Sequence, residues 1–387
     1  MIAATPRRQE PLSNLLQNTQ PRTASSRDTH VKSAVMLSAV RPFVSMLSVV
    51  PQMDKSNAGR LTTVDCLRGV AASAVVWFHL TNGNPDFHAP AWLQATGRQG
   101  WLGVEAFFVI SGFVIPYALQ RADYRLRDYG AFLLRRIVRL DPPYFASIVI
   151  AVALVYGSAR LPGFRGQPPS FSALQILSHA AYMNGFFGFP PILVVYWSLS
   201  LELQYYLLIG LLFPLVGHAK PGVRTGALLT FAALALAVPN PLGVFSWLFL
   251  FMLGILAFYY RQRMLSPGWY AVGVCLVGGG VWITLGGATT LVGVASTLLI
   301  ALVELRSAPL LFLGDISYSL YLIHIPIAGR VINAATRLSL GPTGMTLVTV
   351  VAFMVAVVAA YGFHKLVESP ARAWAGKIRY GARPPLR

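Results

Sequence analysis

The sequence predicts an all-α, polytopic membrane protein with about ten transmembrane helices and both termini in the cytoplasm. Of its 387 residues, 55% are hydrophobic and only 11% are charged, whereas soluble domains carry about a quarter charged residues. The apolar residues gather into runs close to the roughly 17 to 25 residues that cross a bilayer. Most Lys and Arg residues lie between these runs, where lipid headgroups and topology explain them. The net charge of +18 therefore does not indicate nucleic-acid binding.

Ten apolar runs are candidate membrane helices. They comprise residues 64–82, 101–120, 141–158, 196–217, 225–239, 243–260, 268–286, 289–304, 309–330 and 343–364. An eleventh run, 172–189, is only weakly apolar. If it does not cross the bilayer, most Lys and Arg residues face the cytoplasm, as the positive-inside rule requires. We therefore predict ten crossings, with 159–195 as one outer loop that has room for a re-entrant or interfacial helix.

The two ends of the chain differ from its centre. Residues 1–58 are rich in Ser, Thr, Gln, Pro and Arg. This composition is typical of a disordered cytoplasmic extension, or of a stretch that precedes a true translation start at Met53. We expect residues 59–372 to form the transmembrane domain and residues 373–387 to form a basic cytoplasmic tail.

Arg68 and His79 lie in one apolar run, where a charged group and an imidazole are costly to keep. They are eleven residues apart. On an α-helix this spacing places the two side chains within about 20° of the same face and about 16 Å apart along the axis. One face of this helix is therefore predicted to carry polar groups through roughly half of the bilayer.

Two carboxylates are predicted at the depth of His79. Glu105 and Glu202 fall near the outer ends of their helices in the predicted topology. A neutral imidazole beside a carboxylate can act as a general base, because the carboxylate fixes the tautomer and stabilises the imidazolium ion. A structural role is the alternative for each residue, since a lone intramembrane His or Glu often serves helix packing.

Arg136 and Arg139 are predicted at the inner end, together with Arg68. Guanidinium groups bind phosphate oxygens in pairs of hydrogen bonds, so the three residues suit an anionic cytosolic ligand. Ordinary anchoring of a helix end is the alternative. The sequence has no His-Glu-x-x-His motif and no Cys/His cluster, and therefore predicts no metal site.

Six segments, taken together, resemble the integral-membrane acyltransferase-3 family, the O-acetyltransferases of surface polysaccharides and their relatives. The segments are Val64-Asp-Cys-Leu-Arg-Gly-Val-Ala-Ala72 with His79, Gly103-Val-Glu-Ala-Phe-Phe-Val-Ile-Ser-Gly-Phe113, Arg135-Arg-Ile-Val-Arg-Leu-Asp-Pro-Pro-Tyr144, Trp197-Ser-Leu-Ser-Leu-Glu-Leu-Gln-Tyr-Tyr206, Ile316-Ser-Tyr-Ser-Leu-Tyr-Leu-Ile-His-Ile-Pro326 and Glu368-Ser-Pro-Ala-Arg372. They occur in the family's order over about residues 60 to 372. Cys66 stands where the family usually has Gly, and Asp141 where an aromatic residue is common.

The resemblance implies transfer of an acyl group, commonly acetyl from acetyl-coenzyme A, to a hydroxyl of a saccharide or related glycoside. In this assignment His79 is the catalytic base or a transient acyl carrier, and Glu202 orients His79 or the acceptor hydroxyl. The cationic side chains of Arg68, Arg136 and Arg139 hold the coenzyme. The resemblance also implies a bacterial inner membrane location. Further candidate site residues are Glu105, Tyr318 and His324.

Two other classes of function are weighed against this one. A proton-coupled transporter or permease could use His79, Glu105 and Glu202 as a proton relay, although the paired hydropathy repeats of such folds are not visible. A non-catalytic membrane scaffold would leave the costly Arg68 and His79 without a purpose.

Overall fold

The computed structural model describes residues 61–161, 169–238, 240–338 and 340–381, and within these ranges the protein is all-helical. The predicted N-terminal extension lies outside the described residues. The α-helices are α1 (Thr62–Asn82), α2 (Ala91–Gly97), α3 (Gly103–Arg121), α4 (Tyr129–Ala159), α5 (Ala173–Ala180), α6 (Trp197–Val216), α7 (Pro221–Ala237), α8 (Leu248–Arg261), α9 (Pro267–Leu285), α10 (Gly287–Leu302), α11 (Ala308–Asp315), α12 (Ser317–Ala335), α13 (Pro342–Phe363) and α14 (Ser369–Lys377).

Each of the ten predicted spans overlaps one of these helices, but not every helix is built to cross a membrane. In the described ranges six helical stretches are long and apolar enough, or seven if the bent pair α11 and α12 counts as one. The helices α7 and α10 are shorter, and α1 is not among the six. Asp65, Arg68 and His79 lower the hydropathy of α1.

The third predicted span begins too late. We placed it at 141–158, with Arg136 and Arg139 in the preceding loop, whereas α4 runs from Tyr129 to Ala159. Pro142 and Pro143 lie inside this helix. A proline has no N–H to donate to the carbonyl four residues earlier, but the helix continues through both positions. As a result Arg136 and Arg139 are presented by a regular helix, three residues apart on one face.

The centre of the helical body is α8, whose residues from Leu248 to Tyr260 are all buried. It crosses α3 at a point where backbone meets backbone. A Cβ atom added at Gly112 would collide with the Phe251 carbonyl oxygen, and one added at Gly254 would collide with that of Val109. Only glycine permits such a close approach. The contact fixes α3, which carries Glu105 and Ser111, against the core.

The ninth predicted span is broken. The axes of α11 and α12 differ by 71° at Ile316. The α11 segment packs on α1, where a Cβ atom at Gly314 would collide with the Asp65 carbonyl oxygen. This bend brings α12, with Tyr318 and His324, against the helix that carries Arg68 and His79.

The described part of the predicted outer loop folds as a cap, here residues 169–193. Its only α-helix, α5, has eight residues, about 12 Å, and is too short to cross a bilayer. Hydrogen bonds that hold the cap include Gln175 Nε2 to the Pro190 carbonyl, Tyr144 to the His179 carbonyl and Ser200 to the Tyr182 carbonyl. This agrees with the prediction that 172–189 does not cross.

His179 makes the stability of the cap depend on pH. Its Nε2 accepts the Ile192 N–H at 3.0 Å. Burial lowers the pKa of His179 below its ordinary value of 6.5, although a backbone hydrogen bond at Pro190 opposes the shift. Only the neutral His179 ring can accept the Ile192 N–H at Nε2. The cap should therefore be most stable above pH 6.5 and should loosen as the pH falls below it.

Hydrogen exchange of residues 169–193, compared between about pH 5 and 7, measures this effect. Protection should be lost toward pH 5. The His179→Gln variant keeps an acceptor oxygen but cannot be protonated, so its protection should hardly change over the same range. Equal pH dependence in both proteins would contradict the assignment to His179.

Candidate functional site

A cavity of about 100 Å³ lies between α1, α3, α4, α6 and α12. Its polar lining consists of Arg68, Ser111, Arg136, Arg139, Ser198, Glu202, Tyr206, Ser317, Tyr318 and Tyr321. Five of the eight candidate residues from the sequence, namely Arg68, Arg136, Arg139, Glu202 and Tyr318, therefore share one cavity. Their positions in the sequence are separated by up to 250 residues, so the fold brings them together.

The three arginines form one positively charged wall. Arg139 lies within electrostatic range of the like charges of Arg68, Arg136 and also Arg372. The Arg136 guanidinium lies over the rings of Phe132 and Tyr206, 5.6 and 5.4 Å from their centroids. Glu202 is the one acidic residue in the lining. The wall therefore has an excess of positive charge in a site that is largely shielded from water, which favours an anionic ligand.

Two hydrogen bonds from residues of the cavity lining hold the Glu202 side chain. Its Oε1 accepts a short hydrogen bond from the Tyr206 hydroxyl and a second, at 3.2 Å, from Ser111. Ser111, interpreted from the sequence as a packing residue, thus contacts the candidate site. These bonds join Glu202 to Tyr206 and Ser111 rather than to His79, so the contacts of the described residues give no support to Glu202 as the group that orients His79.

A second, smaller cavity of about 20 Å³ adjoins the first. Glu202, Tyr206 and Tyr318 line both. The small cavity adds Asp141, whose carboxylate accepts a hydrogen bond of 2.9 Å from Tyr182 of the cap. Tyr318 is fixed by donating to the Leu140 carbonyl at 2.8 Å. The residues shared by the two cavities are Arg136, Leu140, Leu199, Glu202, Tyr206 and Tyr318, so both cavities meet a guanidinium group, a carboxylate and two phenol groups.

His79 does not line the cavity and lies against His324. The two ring centroids are 5.2 Å apart. Tyr321, which lines the cavity, has its ring 6.2 Å from that of His324, and its hydroxyl is 2.6 Å from Ser198. Tyr321 is therefore the residue of the cavity lining that neighbours the histidine pair.

Glu105 is buried in α3, and its Oε2 has no hydrogen-bond partner among the described residues. Both Glu105 and Glu202 lie within electrostatic range of Tyr321. Tyr321 is thus a common neighbour of the two carboxylates, and the meeting of His79, Glu105 and Glu202 stays a prediction.

One buried polar cluster was not assigned from the sequence, although three of its four residues, Ser319, Glu368 and Arg372, belong to two of the quoted motifs. Buried Glu368 accepts hydrogen bonds from Ser319 at 2.6 Å, from His364 at 3.1 Å and from Arg372 at 2.9 Å. It ends a single π-helical turn, His364–Glu368, a distortion frequent at functional sites. The four-residue spacing of Glu368 and Arg372 was the available signal in the sequence. Arg372 lies within electrostatic range of Arg139 and so extends the arginine wall.

No three potential metal-ligating side chains (His, Cys, Asp or Glu) are grouped in the described ranges.

Comparison with known proteins gives a consistent picture. Residues 61–364 match the family described as an acyltransferase domain. The membrane-bound transacylase BcsY of Komagataeibacter xylinus is 30% identical over 305 residues, which are 69% of this chain and 72% of the relative. No solved structure matches the chain.

Two further relatives are much longer than the part they share. The peptidoglycan O-acetyltransferase OatA of Listeria monocytogenes is 31% identical over 38% of this chain. The peptidoglycan O-acetyltransferase YrhL of Bacillus subtilis is 32% identical over 45% of it. The matches span 23% and 27% of these two relatives. The alternative of a proton-coupled transporter receives no support, because these relatives and the matching family are all named for acyl transfer.

Proposed function

Because the chain belongs to the acyltransferase-3 family and is a multi-pass membrane acyltransferase, we propose that it moves an acetyl group from acetyl-coenzyme A to a hydroxyl of a cell-envelope saccharide. One observation carries the proposal: the cavity lined by the arginine wall is also lined by Tyr321, whose ring lies 6.2 Å from that of His324, the neighbour of His79. The names of the relatives support an O-acetyl product on a glycan.

The donor would bind at the arginine wall. Arg68, Arg136 and Arg139 offer paired N–H donors to phosphate oxygens, and Arg372, held by Glu368, lies within electrostatic range of them. Coenzyme A carries its phosphates at one end and its thioester at the end of a flexible pantetheine arm. With the phosphates on the arginines, that arm has the length of the cavity in which to extend toward Tyr321 and His79.

Acyl transfer would then proceed at the histidine end. The acceptor hydroxyl oxygen attacks the thioester carbonyl carbon while the free nitrogen of His79 takes the hydroxyl proton. Collapse of the tetrahedral intermediate breaks the C–S bond. The coenzyme leaves as a thiolate, which the His79 imidazolium protonates, so the products are an O-acetyl ester and free coenzyme A. The Glu202–Tyr206–Ser111 cluster would position the acyl group or the acceptor hydroxyl.

We further propose ten crossings, cytoplasmic termini and a bacterial inner membrane location, which put the arginine wall toward the acetyl-coenzyme A of the cytosol. The distribution of Lys and Arg residues supports this topology. Labelling of single cysteines placed at Arg98 and Lys220 in intact cells tests it. Only the first should react with an impermeant reagent.

The transfer itself is tested with the full chain in proteoliposomes. Acetyl-coenzyme A with a ¹³C-labelled acetyl group is supplied with glycan fragments released from peptidoglycan by a muramidase. Mass spectrometry should find fragments heavier by one labelled acetyl group, removable by mild base as an ester. Release of coenzyme A without labelled fragments would contradict the proposed acceptor, and accumulation of unreacted donor inside the vesicles would favour a transporter.

A further inference from the structure

The buried side chain of His324 has a fixed tautomer. It is 0% exposed. Its Nδ1 lies 3.0 Å from the Leu320 carbonyl and 2.9 Å from that of Tyr321. Since both partners can only accept, Nδ1 must carry the hydrogen, and Nε2 is left with a lone pair. That Nε2 is buried and has no partner among the described residues.

An unsatisfied buried acceptor needs an explanation, and His79, whose ring neighbours that of His324, can supply an N–H donor. The two ring centroids are 5.2 Å apart, with the planes inclined by 41°. No hydrogen bond from any described residue engages either nitrogen of His79. The other groups facing His324 are already used: the Tyr321 hydroxyl contacts Ser198 and the Val195 carbonyl.

We propose that His324 is a positioning residue for His79. Its Nε2 accepts the N–H of His79, directly or through one water molecule, and so leaves the other nitrogen of His79 unprotonated and free to face the acceptor hydroxyl. When His79 takes the hydroxyl proton, its imidazolium retains the N–H bond to His324. The arrangement corresponds to a base oriented by a second residue, with a neutral imidazole in place of the usual carboxylate. The inference rests on the proposed function.

Two amide substitutions separate positioning from simple packing. His324→Asn places an amide near Nδ1 and can keep the bonds to the Leu320 and Tyr321 carbonyls, but it does not reach His79. His324→Gln places its amide oxygen near Nε2 and can still accept from His79. We expect kcat for acetyl transfer to the muramidase-released fragments to fall about a hundredfold in the Asn variant, with the Gln variant recovering at least tenfold. KM for acetyl-coenzyme A should be unchanged in both.

A double variant of His79 and His324 tests whether His324 acts on the rate through His79. If His324 acts through His79, adding His324→Asn to His79→Ala should leave the residual rate unchanged. His88→Asn, at an exposed histidine outside the site, is the control and should match the parent protein. A kcat that is unchanged in His324→Asn, or lower in the Gln variant than in the Asn variant, would overturn the inference while the parent still transfers acetyl. An inactive parent would instead overturn the proposed function.

Discussion

Replacing His79 by Ala should lower the rate of acetyl transfer by at least about a hundredfold, to a small residual rate, while the protein still inserts into the membrane and binds acetyl-coenzyme A. A positioned general base contributes about 10²- to 10⁴-fold to a rate, and a covalent carrier would contribute more. The arginine wall is separate from His79 along α1, so donor binding should survive. The measurement is the rate of labelled ester formation in proteoliposomes, beside a calorimetric titration with coenzyme A.

His88→Ala serves as the matched control for this prediction, because His88 is an exposed histidine outside the cavity lining. Full activity in the His79→Ala variant would remove His79 from the mechanism. To decide whether His79 acts as a base or as an acyl carrier, the parent protein is incubated with labelled donor and no acceptor. Labelled acetyl on the His79 peptide, absent in the Ala variant, would identify a carrier, and its absence would favour the base.

Replacing Arg139 by Gln should raise KM for acetyl-coenzyme A by about tenfold to a hundredfold, the effect of one lost hydrogen bond to a charged group. The value of kcat should change much less. Arg139→Lys should recover little, since an ammonium group lacks the paired donors of guanidinium. Arg135→Gln is a matched control, because Arg135 is exposed on the same helix and does not line the cavity.

The same Arg139→Gln variant should be at least as heat-stable as the parent when no donor is bound. Arg139 faces the like charges of Arg68, Arg136 and Arg372, and removing it relieves repulsion. Weaker donor binding with unchanged or higher thermal stability is typical of a residue kept for binding rather than for folding. A large loss of thermal stability with unchanged KM would contradict the assigned role.

The sequence predicted the helices and the cationic end of the site because both depend on local patterns. Hydropathy marks a helix, and Arg136 and Arg139 are close in sequence. The Arg68 to His79 spacing is likewise a property of one helix, and α1 carries both as expected. These features do not require knowledge of which helices are neighbours.

What the sequence could not predict depends on contacts between distant segments. The pairing of His79 with His324 follows from the 71° break at Ile316, which no hydropathy pattern reveals. The partners of Glu202 depend on how α3 packs beside α6. The early start of α4 was missed because three arginines and two prolines resemble a loop, whereas the helix continues through both prolines and buries Phe132, Pro143 and Tyr144.

The glycine crossing of α3 and α8 has a consequence for motion. Two backbones in direct contact cannot slide past each other without collision, and α8 is enclosed on every side. The wall of the cavity that carries Ser111 is therefore the stationary part of the protein. Any widening that admits a donor or releases coenzyme A is expected from displacement of α1, α4, α6 or α12, the other helices that line the cavity, rather than of α3.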